Sequence, residues 1–325
     1  MHAAGRPESP PQAVDDAPEL SRALAGRAIT ERDFNALREL IHRLSGIHLA
    51  PEKRALLVGR LNRRLRLLGL SSFRDYIELL ENGKNANETE QMLNCICTNE
   101  THFFREPQQF TFLEQTVYAE WADRAARGER SKHIKVWSAA CSTGEEPCSI
   151  AMSILERFPP HAGWSLDILA TDLSTSALTR AVAAEWPIGK AEEIPGHLLK
   201  RFMLRGTGPK DGWMTAGPEL RAVVRYQRFN LTGRAQPNER DFDLVFCRNA
   251  IIYFDTQTKT KVVNLLLGHL APRGYLLLGH SESIFGLDAT VRRHVPAVYS
   301  LRAGSGCAAA EPLPSVRAKD SSKCG

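Results

Sequence analysis

The chain has 325 residues, 43% of them hydrophobic, and a formal net charge of +5. That is enough apolar matter for one large domain and a smaller one. No stretch reaches the roughly 18 to 20 uninterrupted apolar residues of a membrane span, and the first twenty residues lack the apolar centre of a secretory signal, so a cytoplasmic globular protein is expected.

Residues 1–27 are rich in Pro, Ala and charge without periodicity and read as a disordered extension. From 28 to 92 the pattern is helical: Phe34, Leu37, Ile41 and Leu44 fall three or four apart, as do Leu57, Leu61, Leu65 and Leu68. The second of these runs also carries the charge excess, with Lys53, Arg54, Arg60, Arg63, Arg64, Arg66 and Arg74 against Glu52 and Asp75. Arg60, Arg63, Arg64 and Arg66 take one broad side of a helix whose leucines pack inward, which suits an acidic partner; a merely solvated face is the alternative.

From 93 to 302 short β-rich runs (133–137, 166–170, 242–246, 274–278) alternate with helical segments such as 147–156 and 256–270. The expected fold class is therefore α/β, a mostly parallel sheet covered by helices. Between about 186 and 228 the alternation lapses into turn-punctuated sequence, MLRGTGPKDGWMTAG, which suits a small antiparallel β insert. Residues 303–325 read as a second disordered tail. The seven cysteines are odd in number, and only Cys95 and Cys97 lie close, at a spacing poor for zinc, so reduced thiols and no metal site are expected.

The chemistry is concentrated after the first strand, where CSTGEEP places Glu145 and Glu146 in the turn. Ligands of open α/β sheets lie beyond the carboxyl ends of the strands. A nucleotide phosphate there would call for glycines and a lysine; two acids instead suit a ligand with a cationic end. A capping box built on Ser142 or Thr143 is the bland alternative, weakened because it would put Pro147 too deep in the helix. Asp172 ends the next strand, where a carboxylate can accept both hydroxyls of a ribose; its alternative is an N-cap for the helix that follows. A nucleoside with a cationic amino-acid tail is S-adenosylmethionine; that the second domain is a Rossmann-like S-adenosylmethionine-dependent methyltransferase is what a family resemblance, carried by five ordered segments, implies.

Five segments in order, TNETHFFRE (98–106), WSAACSTGEEPCSIA (137–151), ATDLSTSALTRA (170–181), FDLVFCRNAIIYFD (242–255) and LLLGHSES (276–283), resemble the chemotaxis receptor methyltransferases, the CheR family. The resemblance runs from about 28 to 302. It implies a small N-terminal helical domain, a methyltransferase domain with an antiparallel β-subdomain, and methyl transfer to glutamate side chains of membrane chemoreceptors, leaving S-adenosylhomocysteine. Carried onto matching positions, it puts Asn99, Thr101 and Arg105 around the cofactor's methionine end and Glu146 on its ammonium. Asp172 takes the ribose, Asn230 and Leu231 frame the adenine, and Arg248 and Asn249 line the far side. Arg105 and Tyr253 are the catalytic candidates, Tyr253 beside the transferable methyl. Cys141 and Cys148 stand where alanine and tyrosine are frequent, and Ala250 and Ile251 replace Val-Met.

The expected partner is the helical bundle of a chemoreceptor, met by Arg60, Arg63, Arg64 and Arg66; a monomer without nucleic acid or membrane insertion is expected. An RNA methyltransferase would also want a basic patch and this cofactor, but RNAIIY lacks the Asn-Pro-Pro-Tyr type of loop used for amino-group methylation. A non-catalytic receptor-binding scaffold is the other alternative, opposed by the presence of Arg105, Glu146, Asp172 and Tyr253.

Overall fold

The computed structural model describes residues 29–82, 86–235, 237–284 and 290–302, so both terminal segments expected to be disordered lie outside the described residues. The chain divides into two compact units, Met1–Thr98 and Asn99–Gly325.

The first unit is helical: α1 (Glu31–Ser45), α2 (Arg54–Leu67), α3 (Phe73–Glu81) and α4 (Ala86–Ile96). Helix α1 starts where the Thr30 side chain accepts from the Asp33 N–H, and stops at Gly46 in the left-handed region. Leu57, Leu61 and Leu65, four apart on α2, are all buried, each contributing about 1.5–3 kcal/mol. Beside that seam Arg64 forms a two-pronged ion pair with Glu88 of α4, a carboxylate only 2% exposed, which also accepts from the Tyr76 hydroxyl of α3 at 2.7 Å. Burial and that carboxylate push the Tyr76 phenol well above its ordinary range. Arg60 donates to the Ile96 carbonyl and, at 2.9 Å, to the Thr98 hydroxyl. Arg63 and Arg66 are exposed.

In the second unit α5 (Pro107–Phe112) passes through a wider π turn (Leu113–Val117) into α6 (Tyr118–Ala126). The strands are β1 (His133–Ala139), β2 (Ser165–Asp172), β3 (Glu185–Pro187), β4 (Met203–Arg205), β5 (Trp213–Ala216), β6 (Val224–Arg228), β7 (Phe242–Cys247), β8 (Leu270–Leu278), β9 (Val291–Val295) and β10 (Val298–Leu301). Seven form one sheet in the order β6-β2-β1-β7-β8-β10-β9, parallel as far as β8 and antiparallel at β10 and β9. The order reverses between β1 and β7, opening a crevice at their carboxyl ends. Alternate residues of β1 face opposite cores: Ile134 and Val136 join α7 (Glu145–Arg157), whereas Trp137 and Ala139 join α11 (Thr256–Gly268).

The other three strands make the antiparallel insert, β3-β5-β4. It is shorter than the composition suggests, because 224–228 leaves it: β6 pairs in parallel with β2, Val224 opposite Ile168 and Arg228 opposite Asp172. The polar sequence VRYQR hides this strand because it lies at the sheet's edge, where few of its side chains need burial. Helices α9 (Gly196–Phe202) and α10 (Pro218–Val223), on either side of β4 and β5 in the chain, cover the outer side of α7. Every α7 residue from Glu145 to Leu155 is consequently buried, as expected of a helix with cores on two sides.

Candidate functional site at the carboxyl ends of β1, β2 and β7

After β1 the backbone enters the left-handed region at Ala140, Ser142 and Gly144. Gly144 is dictated twice, by its φ of +95° and by Ala181 of α8 (Thr175–Ala183), whose Cα would stand 3.1 Å from an added Cβ. Helix α7 then begins at Glu145 with no side-chain cap, so neither acid serves a capping box; the Thr143 hydroxyl donates to Glu145 instead, at 2.6 Å. The two acids part company here. Glu145 turns toward Lys190, whose Nζ lies 2.6 Å from its Oε1. Glu146 accepts from the Ser138 hydroxyl and from Arg248 Nε, both at 2.7 Å, and Arg248 also donates to the Arg105 carbonyl. This carboxylate–guanidinium pair is nearly buried, 7% and 6% exposed, with the guanidinium beside the Phe246 and Phe110 rings.

Asp172 ends β2 with one oxygen accepting from the Ser142 N–H and the other from the Ser174 N–H, each at 2.8 Å. The cap of α8 is Ser174, whose hydroxyl accepts from Ala177 N, so Asp172 is not spent as one. Burial raises the Asp172 pKa, opposed by the backbone N–H groups of Ser174, Ser142 and Leu173. Asn230 and Leu231 follow β6 next to this strand end: Phe229 N donates to the Asp172 carbonyl at 2.9 Å, and Asn230 closes a turn by accepting from Thr232.

The segment 99–106 lies across these strand ends. The Asn99 carbonyl accepts from the Ser142 hydroxyl at 3.0 Å and its amide reaches Ser174 at 3.4 Å; the Thr101 carbonyl accepts from Lys190 at 2.8 Å. Arg105 is half-buried, donating to the Glu100 carbonyl at 3.3 Å, and stands between two residues forced into positive φ, Phe104 and Glu106. Phe103 is buried against Trp186. Tyr253, at the end of the turn Ile251–Tyr253, is 37% exposed. Asn249 adopts positive φ, and its side-chain oxygen is buried without a partner among the described residues.

Glu282 was not legible as a site residue in GHSES, where the histidine draws attention. Its buried carboxylate accepts from Gly279 N at 2.6 Å, Asn249 N at 2.9 Å and Ile252 N at 3.1 Å, tying the turns after β7 and β8 together. A Cβ on Gly279 would come within 2.8 Å of that carboxylate and of the Asn249 amide, so only glycine fits. Burial pushes the Cys141 and Cys247 thiols well above their usual range, leaving no thiolate nucleophile at either position. Among the described residues, no group of three or more His, Cys, Asp or Glu is placed to hold a metal, and no helix is long and apolar enough to cross a membrane.

Two family models match the chain: "CheR methyltransferase, all-alpha domain" over residues 32–97 and "CheR methyltransferase, SAM binding domain" over 99–298. Chemotaxis protein methyltransferase 2 of Pseudomonas aeruginosa is 39% identical over 276 residues, 83% of this chain and 93% of that protein. The chemotaxis protein methyltransferase of Escherichia coli is 36% identical over 84% of this chain and 92% of its own length, and that of Borreliella burgdorferi 33% identical over 83% and 94%.

Proposed function

The chain belongs to the CheR family of S-adenosylmethionine-dependent chemotaxis methyltransferases, and we propose that it esterifies glutamate side chains of membrane chemoreceptors as part of chemotactic adaptation. The observation that carries the cofactor assignment is the pairing of unlike acids at neighbouring strand ends. Glu146 with Arg248 is a side-by-side anion and cation, fitted to the ammonium and carboxylate of an amino-acid end. Asp172 is held by backbone N–H groups at the end of β2, and its remaining acceptor capacity is fitted to ribose hydroxyls. Asn230 and Leu231 then border the adenine, Asn99 and Thr101 the methionine end, and Asn249 the far wall.

S-adenosylmethionine supplies, when bound, a methyl group on a sulfonium sulfur. An acceptor glutamate with a pKa of about 4.3 is already ionised near neutral pH, so no general base is needed. Its oxygen forms the new O–C bond as the C–S bond breaks, and the electron pair stays on sulfur; charge disappears from both partners. The protein's task is to align the acceptor and keep water away from a weak nucleophile. Arg105 holds one carboxylate oxygen, and the half-exposed Tyr253 flanks the methyl or donates to the acceptor. A tight clamp would favour the ionised ground state, so a single, half-solvated arginine suits the task. The acceptor helices, rich in acid, meet the exposed Arg63 and Arg66 of α2, with Arg60 and Arg64 behind them.

Incubation with methyl-labelled cofactor and receptor-containing membranes, followed by mild alkali, tests the bond formed. Esters release volatile labelled methanol. Alkali-stable label in RNA, or none transferred to protein, overturns the reading.

A further inference from the structure

The insert meets the site through Trp186 and the turn Ile188–Glu193, in which Lys190 and Glu193 stand three residues apart with opposite charge. Lys190 Nζ spans two acceptors, Glu145 Oε1 at 2.6 Å and the Thr101 carbonyl at 2.8 Å. Glu193 Oε2 takes the N–H of Phe103 at 2.7 Å. Trp186, just before the turn, meets the Phe103 ring edge-on at 5.0 Å. The residue beyond, Phe104, donates its N–H to the Ser149 hydroxyl at 3.0 Å, and that hydroxyl donates to the Glu145 carbonyl at 2.7 Å. Residues 101, 103 and 104 are thus each pinned from outside, immediately before Arg105.

Pinning is what this stretch needs, because Phe104 and Glu106 hold φ at 49° and 59°. Non-glycine residues remain in that region only where their surroundings over-determine them. The same lysine pairs with the first acid of the turn: Glu145, 1% exposed, is neutralised from the insert.

We infer that Lys190 and Glu193 are positioning residues for methyl transfer: they belong to the insert, touch neither reactant, and fix the segment 99–105 so that Arg105 faces the acceptor. This rests on the proposed function, since it takes Arg105 as the acceptor's contact. It makes the insert a part of the catalytic scaffold.

Four variants of the full chain separate positioning from simple stability. Glu193→Ala loses the Phe103 tether, whereas Glu193→Gln retains an oxygen acceptor. Lys190→Met leaves Glu145 buried without its cation; Lys190→Met with Glu145→Gln removes that unpaired charge but still lacks the Thr101 tether. The expected result is a fall in kcat on receptor membranes on the order of tenfold to a hundredfold for Glu193→Ala and for the double variant. Glu193→Gln should keep most activity, and the double variant should recover the thermal midpoint that Lys190→Met loses. Hydrogen exchange in peptides covering 99–105 should quicken in Glu193→Ala and not in Glu193→Gln. If the double variant regains both midpoint and kcat, Lys190 only neutralises Glu145 and the inference fails. Wild-type kcat and exchange in Glu193→Ala sink it for Glu193. A wild-type protein that forms no base-labile ester refutes the glutamate reading instead, and the exchange experiment still decides the tether.

Discussion

The Asp172 carboxylate is held by backbone N–H groups, Ser142 on one oxygen and Ser174 on the other with Leu173 beside them, and its remaining acceptor capacity is open to a hydroxyl donor. Asp172→Ala should therefore weaken S-adenosylhomocysteine binding by about 1.5–3 kcal/mol, the worth of a charge-assisted hydrogen bond; unchanged affinity by calorimetry would remove the ribose from this carboxylate. The pH dependence has a definite sign. Burial raises the folded pKa, so the stability contributed by Asp172 is fully present below its unfolded value of about 3.9 and is lost as pH rises through the folded value. Hydroxyl donors favour the ionised form, so wild-type affinity should climb with pH through that same window and then level off, a slope absent from Asp172→Asn. Glu282 supports the opposite side of the crevice, and Glu282→Ala strands three backbone donors; a loss of about 2–5 kcal/mol is expected, visible as a lowered thermal midpoint. Tyr253→Phe should depress turnover while leaving cofactor affinity near wild type, since Tyr253 is assigned to the acceptor side. The acids at the strand ends, Glu145, Glu146 and Asp172, stand out in the sequence because charge in a post-strand turn is conspicuous. Glu282, Lys190 and Glu193 do not stand out, since each makes bonds to segments far away in the chain, Glu282 to Asn249 and Ile252, Lys190 to Thr101 and Glu145, Glu193 to Phe103, and a side chain's sequence neighbours carry no trace of those.

At the scale of elements, α2 shows that like residues on one helix can differ in what they hold. The four arginines look alike in sequence, yet Arg64 closes a buried pair with Glu88 and Arg60 holds the end of α4, while Arg63 and Arg66 stand in solvent. Charge reversal divides them. Arg63→Glu with Arg66→Glu should leave the thermal midpoint in place and impair receptor methylation, increasingly so as salt is lowered and long-range repulsion is less screened. Arg64→Glu should instead destabilise the first unit by about 3–5 kcal/mol, because it sets a second acid against a buried carboxylate. Normal receptor methylation by the Arg63 and Arg66 double variant returns that face to ordinary solvation. The leucine period of α2 and the strand–helix alternation were readable because each is set by burial on one face. The edge strand β6 and the terminal pair β9 and β10 escaped for the converse reason. Their exposed positions carry arginines (Arg225, Arg228, Arg292, Arg293), so alternation is blurred and pairing partners decide.

For the whole molecule, the division at Thr98 and Asn99 gives a helical unit with buried apolar residues of its own, such as Phe34, Ile41, Leu61 and Phe73, and an α/β unit with two core clusters, one on each side of its sheet. A chain starting at Asn99 should bind S-adenosylhomocysteine with near wild-type affinity and fail to methylate receptor membranes; failure to bind in a folded fragment would assign part of the cofactor site to the helical unit. The division of the chain into a helical and an α/β part is legible from the change of hydrophobic period, whereas the extent of the insert is not, because Gly-rich turns mark a boundary without saying which sheet the next strand joins. Helix α7 has a consequence for synthesis. Its inner side rests on β1 and β2, but its outer side is closed by α9 and α10, which lie some forty to seventy residues later in the chain. While the ribosome is still translating that stretch, a nascent chain with α7 formed displays an apolar helix surface to the cytosol. The crevice itself closes later still, because β7, β8 and Glu282, which bound its far side, lie at 242–282.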